Sequence, residues 1–455
     1  MISGDAIVSL LASHLPAHLS RQRWSGAADR PIARVELRWY EVLLTEDPLL
    51  IWTLARVHFD DGDEQDYQLF VGARPGVPLP KFLEGKEREL IALLDDESPP
   101  VVVYDALVDP DLAIEVLHLV APDLEVAVRR PIVLEHSNSS VVFDEAHILK
   151  VLRKIEPGPN PDVEITRVLA QRGFDAVLPP LAELRRDGID LAVLRDFLVG
   201  ATEGWDLARG SIRDLLAGAE APEESGADFA PDAERLGALL ACLHLAMRDA
   251  WGKEPGDGPR WASEMAESLD VVARLAADLH PASLDLSAVA DRLAALGTAS
   301  DVGSEIRIHG DLHLAQLIKA DAGWKILDFE GEPARRRADR FTTSSPLRDL
   351  AGLLRSLHYA AVTGLLEWGG DDKELAGLVE EWEARNREAV CNGYLGTEGI
   401  ADLLPEGADA RDAVLGAFEL DKAVYELGYE LGHRPDLVGI PLEAIARLLG
   451  PRDDE

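Results

Sequence analysis

His309-Gly310-Asp311-Leu312-His313-Leu314-Ala315-Gln316 is followed closely by Leu327-Asp328-Phe329-Glu330. Asp311 stands after a glycine at the end of a β-prone run, Glu305-Ile306-Arg307-Ile308-His309, where a tight turn presents a carboxylate into a cleft. Gln316 adds an amide oxygen five positions on. Asp328 ends the apolar run Trp324-Lys325-Ile326-Leu327, which follows the turn signal Asp321-Ala322-Gly323, so a hairpin brings it toward the Asp311 loop. Glu330 points the same way if that strand continues. A lone aspartate in a turn is usually a turn residue. Two carboxylates and an amide converging from a glycine turn and a strand end are instead a set of hard oxygen donors of the kind that binds Mg2+. His309 is expected to bond the loop backbone, and His313 to do the same or to face a substrate. Neither has the Cys or His companions of a zinc site.

That donor set suits phosphoryl transfer, with Asp311 as catalytic base and Gln316, Asp328 and Glu330 at the metal. Transfer also needs cations along a triphosphate. Lys150 lies in the β-prone run Ile148-Leu149-Lys150-Val151-Leu152, paired as a hairpin with Val141-Val142-Phe143. A helix beginning near Pro161 then carries Glu164, a candidate partner for the lysine. Ser137-Asn138-Ser139-Ser140 precedes the hairpin and offers small polar groups to cover phosphates, a weak signal without glycines. Leu191 to Leu198 reads as a strand leading to a hinge.

Around this core, Val35 to Tyr40 and Leu49 to Phe59 alternate beside Asp60-Asp61-Gly62-Asp63, which predicts antiparallel hairpins. Ile7 to Ala12 predicts a short helix. Beyond Gly204 long Ala/Leu/Glu/Arg stretches predict helices around 231–250, 261–279, 347–366, 373–394 and 411–431. The fold class expected is α+β, with residues 1–88 a β-rich cap subdomain, 89–200 an intermediate nucleotide-binding subdomain and 201–455 a mainly helical lobe. A chain of 455 residues is long enough for such units.

Composition excludes several classes. A net charge of −38 opposes nucleic acid and anionic lipid as general partners, and leaves ATP dependent on Mg2+ and a few placed cations. No apolar run reaches membrane-spanning length, so no membrane partner is expected. The start, Met1-Ile2-Ser3-Gly4-Asp5-Ala6, lacks the marks of a secretory leader, giving a cytoplasmic expectation. Cys242 and Cys391 are read as buried small hydrophobes.

His309-Gly310-Asp311-Leu312-His313 and Asp328-Phe329-Glu330 resemble the aminoglycoside phosphotransferase-like branch of the eukaryotic-like kinases. Further segments resemble the actinobacterial maltokinases: Leu19-Ser20-Arg21-Gln22-Arg23-Trp24, Asn160-Pro161-Asp162-Val163-Glu164, Glu203-Gly204-Trp205, Ser345-Pro346-Leu347-Arg348-Asp349 and Glu419-Leu420-Asp421-Lys422-Ala423-Val424-Tyr425-Glu426. The resemblance implies a bilobal protein-kinase-like fold and a monomer. It also implies ATP-dependent phosphorylation of maltose to maltose 1-phosphate for glycogen synthesis; similar enzymes phosphorylate glucosamine at its 6-hydroxyl. By position, Lys150 would contact phosphates and Glu164 would hold that lysine.

For the sugar, Asp421, Lys422, Tyr425, Glu426, Tyr429, His433 and Arg434 supply donors, acceptors and aromatic faces. Of these, 422, 425, 426 and 429 share one helical face. A helix that packs its tyrosines and pairs its charges accounts for the same residues. His136 and His313 are further candidates for the sugar. Three places depart from the maltokinase pattern: Ser25-Gly26-Ala27-Ala28 after Trp24, Ala315 in place of a glycine, and the absence of a tryptophan after Arg434-Pro435-Asp436.

Overall fold

The computed structural model describes residues 3–27, 30–95, 97, 99–126, 132–135 (backbone only), 138–218, 221–278, 284–331, 343–369 and 373–450. It divides into two compact units, residues 1–167 with 178–199 and residues 168–177 with 200–455.

The first unit opens with α1 (Gly4–Leu19), longer than the predicted helix, and the antiparallel strands β1 (Ile32–Leu44), β2 (Leu49–Phe59) and β3 (Glu64–Pro75). β4 (Leu90–Leu94), β5 (Val101–Asp105) and α2 (Pro110–Val120) follow. Next come β6 (Ile132–Glu135), β7 (Ser139–Phe143), β8 (His147–Val151), β9 (Lys154–Ile155), α3 (Pro161–Gln171), β10 (Ala182–Arg186) and β11 (Ile189–Asp196). One sheet has the order β1-β2-β3-β5-β4, with β9 also on β3, and a second the order β10-β11-β8-β7-β6.

Leu49-Leu50-Ile51-Trp52 breaks strict polar alternation because β2 is covered on both faces. Leu49, Ile51, Ala55 and Val57 meet the Ile7-Leu11-Leu15-Leu19 stripe of α1. Leu50 and Trp52 join a second core with Phe70, Tyr104, Val116, Leu149 and Leu194. The three-residue β7–β8 loop places Asp144 and Glu145 at φ 53° and 54°, a left-handed pair closed by the Ala146 N–H donating to the Phe143 carbonyl.

The second unit is mainly helical. After β12 (Thr202–Glu203) come α4 (Gly204–Leu216), α5 (Ala230–Trp251), β13 (Glu254–Pro255), α6 (Gly258–Leu275), α7 (Leu286–Leu296) and β14 (Ser304–Glu305). The hairpin β15 (Leu317–Ala320) and β16 (Gly323–Ile326) precedes α8 (Leu347–Trp368), α9 (Lys373–Leu395), α10 (Ala408–His433) and α11 (Gly439–Leu449). α5 and α9 cross at backbone contact: a Cβ on Gly237 would strike the Val390 carbonyl, and one on Gly393 the Glu234 carbonyl.

Three expectations are corrected. The run from Glu305 to His309 is not a strand: β14 ends at Glu305 and Ile306 makes one bridge to Ser344, because a side chain from α8 takes the next loop amides. β16 stops at Ile326 and Asp328 turns into the left-handed region (φ 62°), so strand alternation does not carry on to Glu330. Cys242 is exposed and Cys391 half-buried, since the buried stripe of α5 runs through Leu236, Leu240, Leu243 and Met247 and that of α9 through Asn386, Val390 and Tyr394. Among the described residues no helix is long and apolar enough to cross a membrane.

Candidate active site

In the first unit, Lys150 occupies the middle strand of the second sheet, its side chain 17% exposed. The carboxylate of buried Asp162, in the first turn of α3, lies 3.6 Å from its Nζ. Arg195 on β11 reaches the same carboxylate at 2.8 Å, and also the Asp162 carbonyl and the Thr166 hydroxyl. Asn160 fixes the start of this helix: its side-chain oxygen accepts from the N–H groups of Asp162 and Val163, while Pro161 takes the position that lacks a donor need. The sequence reading placed Glu164 beside Lys150 and missed both Asp162 and Arg195.

Asn138 and Ser139 are buried around another cation. Arg153 donates its backbone N–H to the Asn138 side chain and its Nε to Ser139, and pairs with Asp105 at 2.5 Å. Ser140 sits across from Lys150 in the β7–β8 ladder. His136 and Ser137 lie outside the described residues.

In the second unit, Gly310 adopts φ 85° and turns the chain so that Asp311 follows it out of the loop. The loop hangs from α8. Buried Asp349 accepts from the backbone N–H groups of His309 (2.8 Å) and Gly310 (2.9 Å), and the Ser356 hydroxyl accepts from Leu314 N–H. His244 backs Asp349 at 3.1 Å and meets the Tyr394 hydroxyl through its other nitrogen. Burial alone would raise the Asp349 carboxyl. The hydrogen bond and charge of His244 and the Gly310 N–H outweigh it, holding the group below its ordinary value.

His309 acts as the sequence suggested. Its Nδ1 accepts from Asp311 N–H, which leaves Nε2 to donate to the Leu327 carbonyl at 2.9 Å, tying the loop to the strand end. Gln316 follows in a single 3-10 turn, and its side-chain nitrogen is 3.4 Å from Asp328 Oδ2. Ala315 is absent from the positive-φ residues, so a side chain is tolerated there. Burial lowers the pKa of His313 against the opposing pull of Asp311, which keeps its imidazole neutral.

The remaining side chains come from α10, which runs in the same direction as α8. Lys422 Nζ lies 3.1 Å from Asp311 Oδ1 and 4.6 Å from the Tyr425 ring centre. Further along, Arg348 faces Asp421 at 3.8 Å, Arg355 pairs with Glu426 at 2.6 Å, and the Tyr359 hydroxyl donates to Glu430 at 3.1 Å. Arg434 closes the row on Glu430 at 2.5 Å, with its guanidinium 5.4 Å from the centre of the exposed Tyr429 ring, which stacks on His433. Sequence reasoning missed Arg355, Tyr359 and Glu430. An arginine and a tyrosine four apart in a helix of otherwise apolar periodicity were the only signal. The structure thus separates the predicted face: Lys422 meets Asp311 and lies over the Tyr425 ring, Glu426 is paired, and Tyr429 is exposed.

The Gln316 amide and the Asp328 carboxylate form a compact pair of hard donors that fits Mg2+ once the amide turns its oxygen inward. Asp311, pinned by its loop and paired with an ammonium, is placed to take a proton from a hydroxyl.

Residues 18–109 match the family model described as the maltokinase N-terminal cap domain. The chain is 28% identical over 339 residues to a glucosamine kinase of Streptacidiphilus jiangxiensis, covering 71% of this chain and 74% of that protein. It is 24% identical over 336 residues to a glucosamine kinase of Mycolicibacterium smegmatis, covering 70% and 79%. Among solved structures, a glucosamine kinase in complex with glucosamine, ADP and inorganic phosphate superposes with a TM-score of 0.65 at 21% identity, over 97% of this chain and 98% of that one. A second crystal form gives 0.67 at 21% identity, over 97% and 99%. These structures establish that the chain shares their mixed α+β fold.

Proposed function

We propose that this chain transfers the γ-phosphoryl group of ATP to a sugar hydroxyl, and that the sugar is maltose, phosphorylated at its anomeric hydroxyl for α-glucan synthesis. The observation that carries the transfer is Asp311: its loop hangs from Asp349, and its carboxylate meets Lys422 on the helix that bears the predicted sugar residues. In this reading Asp311 accepts the proton of the attacking hydroxyl, while Lys422 orients the carboxylate and the acceptor oxygen. Lys150, supported by Asp162 and Glu164, contacts phosphate oxygens, and the Ser137–Ser140 segment covers them. Gln316 and Asp328, with Glu330 assisting, would hold Mg2+, which supplies charge neutralisation on the phosphates.

Two observations support a neutral disaccharide. The cap that matches the maltokinase model spans residues 18–109. Along α10, Asp311, Asp421, Glu426 and Glu430 face Lys422, Arg348, Arg355 and Arg434 in turn, so each carboxylate already has a cation and an uncharged ligand leaves that balance intact. Glucosamine is the second reading, favoured by the two glucosamine kinases that match about 70% of the chain. Incubation with ATP-Mg2+ and a panel of maltose, glucose and glucosamine, with the product phosphate located by 31P NMR, separates the two. Maltose 1-phosphate is expected; glucosamine 6-phosphate with no turnover of maltose would replace the first reading by the second.

A further inference from the structure

The helical unit carries a second concave surface, lined by Asp206, Arg209, Gly210 and Arg213 of α4 and by Gly364, Glu367 and Trp368 of α8. Its volume of about 390 Å3 is that of a small-ligand site. None of these residues takes part in the phosphoryl-transfer site described above.

Four features of the groove fit one ligand chemistry. Trp368 presents its indole at 44% exposure, a flat apolar face with a polar N–H edge. Asp206 and Arg213 are exposed and make no side-chain hydrogen bond or ion pair among the described residues, so an acceptor pair and a planar donor fork remain available. Seven positions apart on one helix, they are separated by about 10 Å along its axis, the span of two linked sugar rings. The lining is balanced in charge, because Arg209 pairs with Glu367 and Asp206 offsets Arg213, on a chain whose net charge is −38.

Gly210 is the fourth feature. It lies inside α4, where glycine weakens a helix, yet a Cβ built on it meets nothing within 4 Å. Helix packing therefore does not explain it. The absence of a side chain keeps the floor of the groove open.

We infer that the α4–α8 groove is a non-catalytic binding site for an uncharged oligosaccharide, one ring stacking on Trp368 and its hydroxyls bonding Asp206 and Arg213. A phosphate or nucleotide ligand would call for surplus positive charge, and a metal ion for surplus carboxylates; the balance of the lining matches neither.

The test reads the groove directly. The indole N–H signal of Trp368, assigned by its loss in Trp368→Phe, is followed by 1H–15N NMR during titration of the full chain with maltotriose. A saturable shift is expected, weakened about tenfold or more in Gly210→Leu, which fills the floor, and in Arg213→Ala. Trp368→Ala should leave kcat and KM of the sugar-kinase reaction unchanged, so failure of this inference is separable from failure of the proposed activity. A Trp368 signal unmoved by maltotriose, moved equally in Gly210→Leu, or moved more by inorganic phosphate would overturn it.

Discussion

At the scale of single residues, the site depends on a carboxylate that is aimed by others. Asp311 reaches nothing useful unless Gly310 turns the chain and Asp349 ties down the two amides before it. Asp311→Asn keeps the shape and removes the proton acceptor, so turnover should fall by about 10^2- to 10^4-fold with the melting temperature little changed, checked by steady-state kinetics beside calorimetry. Wild-type turnover in that variant would remove Asp311 from the role of base. Gln316 and Asp328 were legible because they belong to the same short stretch as Asp311. Lys422 lies 111 positions from Asp311, and its contact with the carboxylate depends on how α10 packs, which no local pattern encodes. Asp162 escaped notice for a related reason. Two acidic residues occur in the first turn of α3, and the rotation of the helix on the sheet, which brings Asp162 to Lys150, is not written in their spacing.

At the scale of elements, periodicity predicted the long helices well: α5, α8, α9 and α10 each fall within a few residues of expectation. Strand ends were less legible, since β14 and β16 are cut short by side chains and backbone turns from elsewhere. α1 carries a pH dependence of its own. His18, buried between Gln22 and the Leu90 carbonyl, has its pKa pushed down to about 4 by burial, against the pull of Asp105. It is therefore neutral in the folded chain, whereas the unfolded chain takes up a proton first as the pH drops below 6.5. Stability contributed by the neutral form is present above pH 6.5 and is lost as the pH falls toward 4, by about 3 kcal/mol in all. The protection factors of the α1 amides, which refer each exchange rate to its intrinsic rate at the same pH, should fall between pH 7 and pH 4.5, and His18→Gln should flatten that dependence. An α1 equally protected at both values would show that burial does not control this histidine.

At the scale of the whole molecule, the division into a strand-rich first unit and a helical second unit follows the change in composition near residue 200, where β-prone alternation gives way to long Ala/Leu/Glu/Arg periods. The charge is the other global property. With 83 acidic against 45 basic side chains, the folded state repels itself, and added salt screens that repulsion. The melting temperature should rise by roughly 3 °C or more between 20 and 300 mM KCl, measured by calorimetry; a fall would mean that the surface ion pairs outweigh the net repulsion. The crossing of α5 and α9 has a different kind of consequence. Where Gly237 and Gly393 bring two backbones together, no rotamer exists to repack and no side chain can yield, so the joint behaves as a weld rather than a bearing. His244 and Tyr394, which back the Asp349 anchor, stand on those two welded rods, and the reach of the Asp311 carboxylate is thereby referred to a part of the molecule that has no freedom to slide.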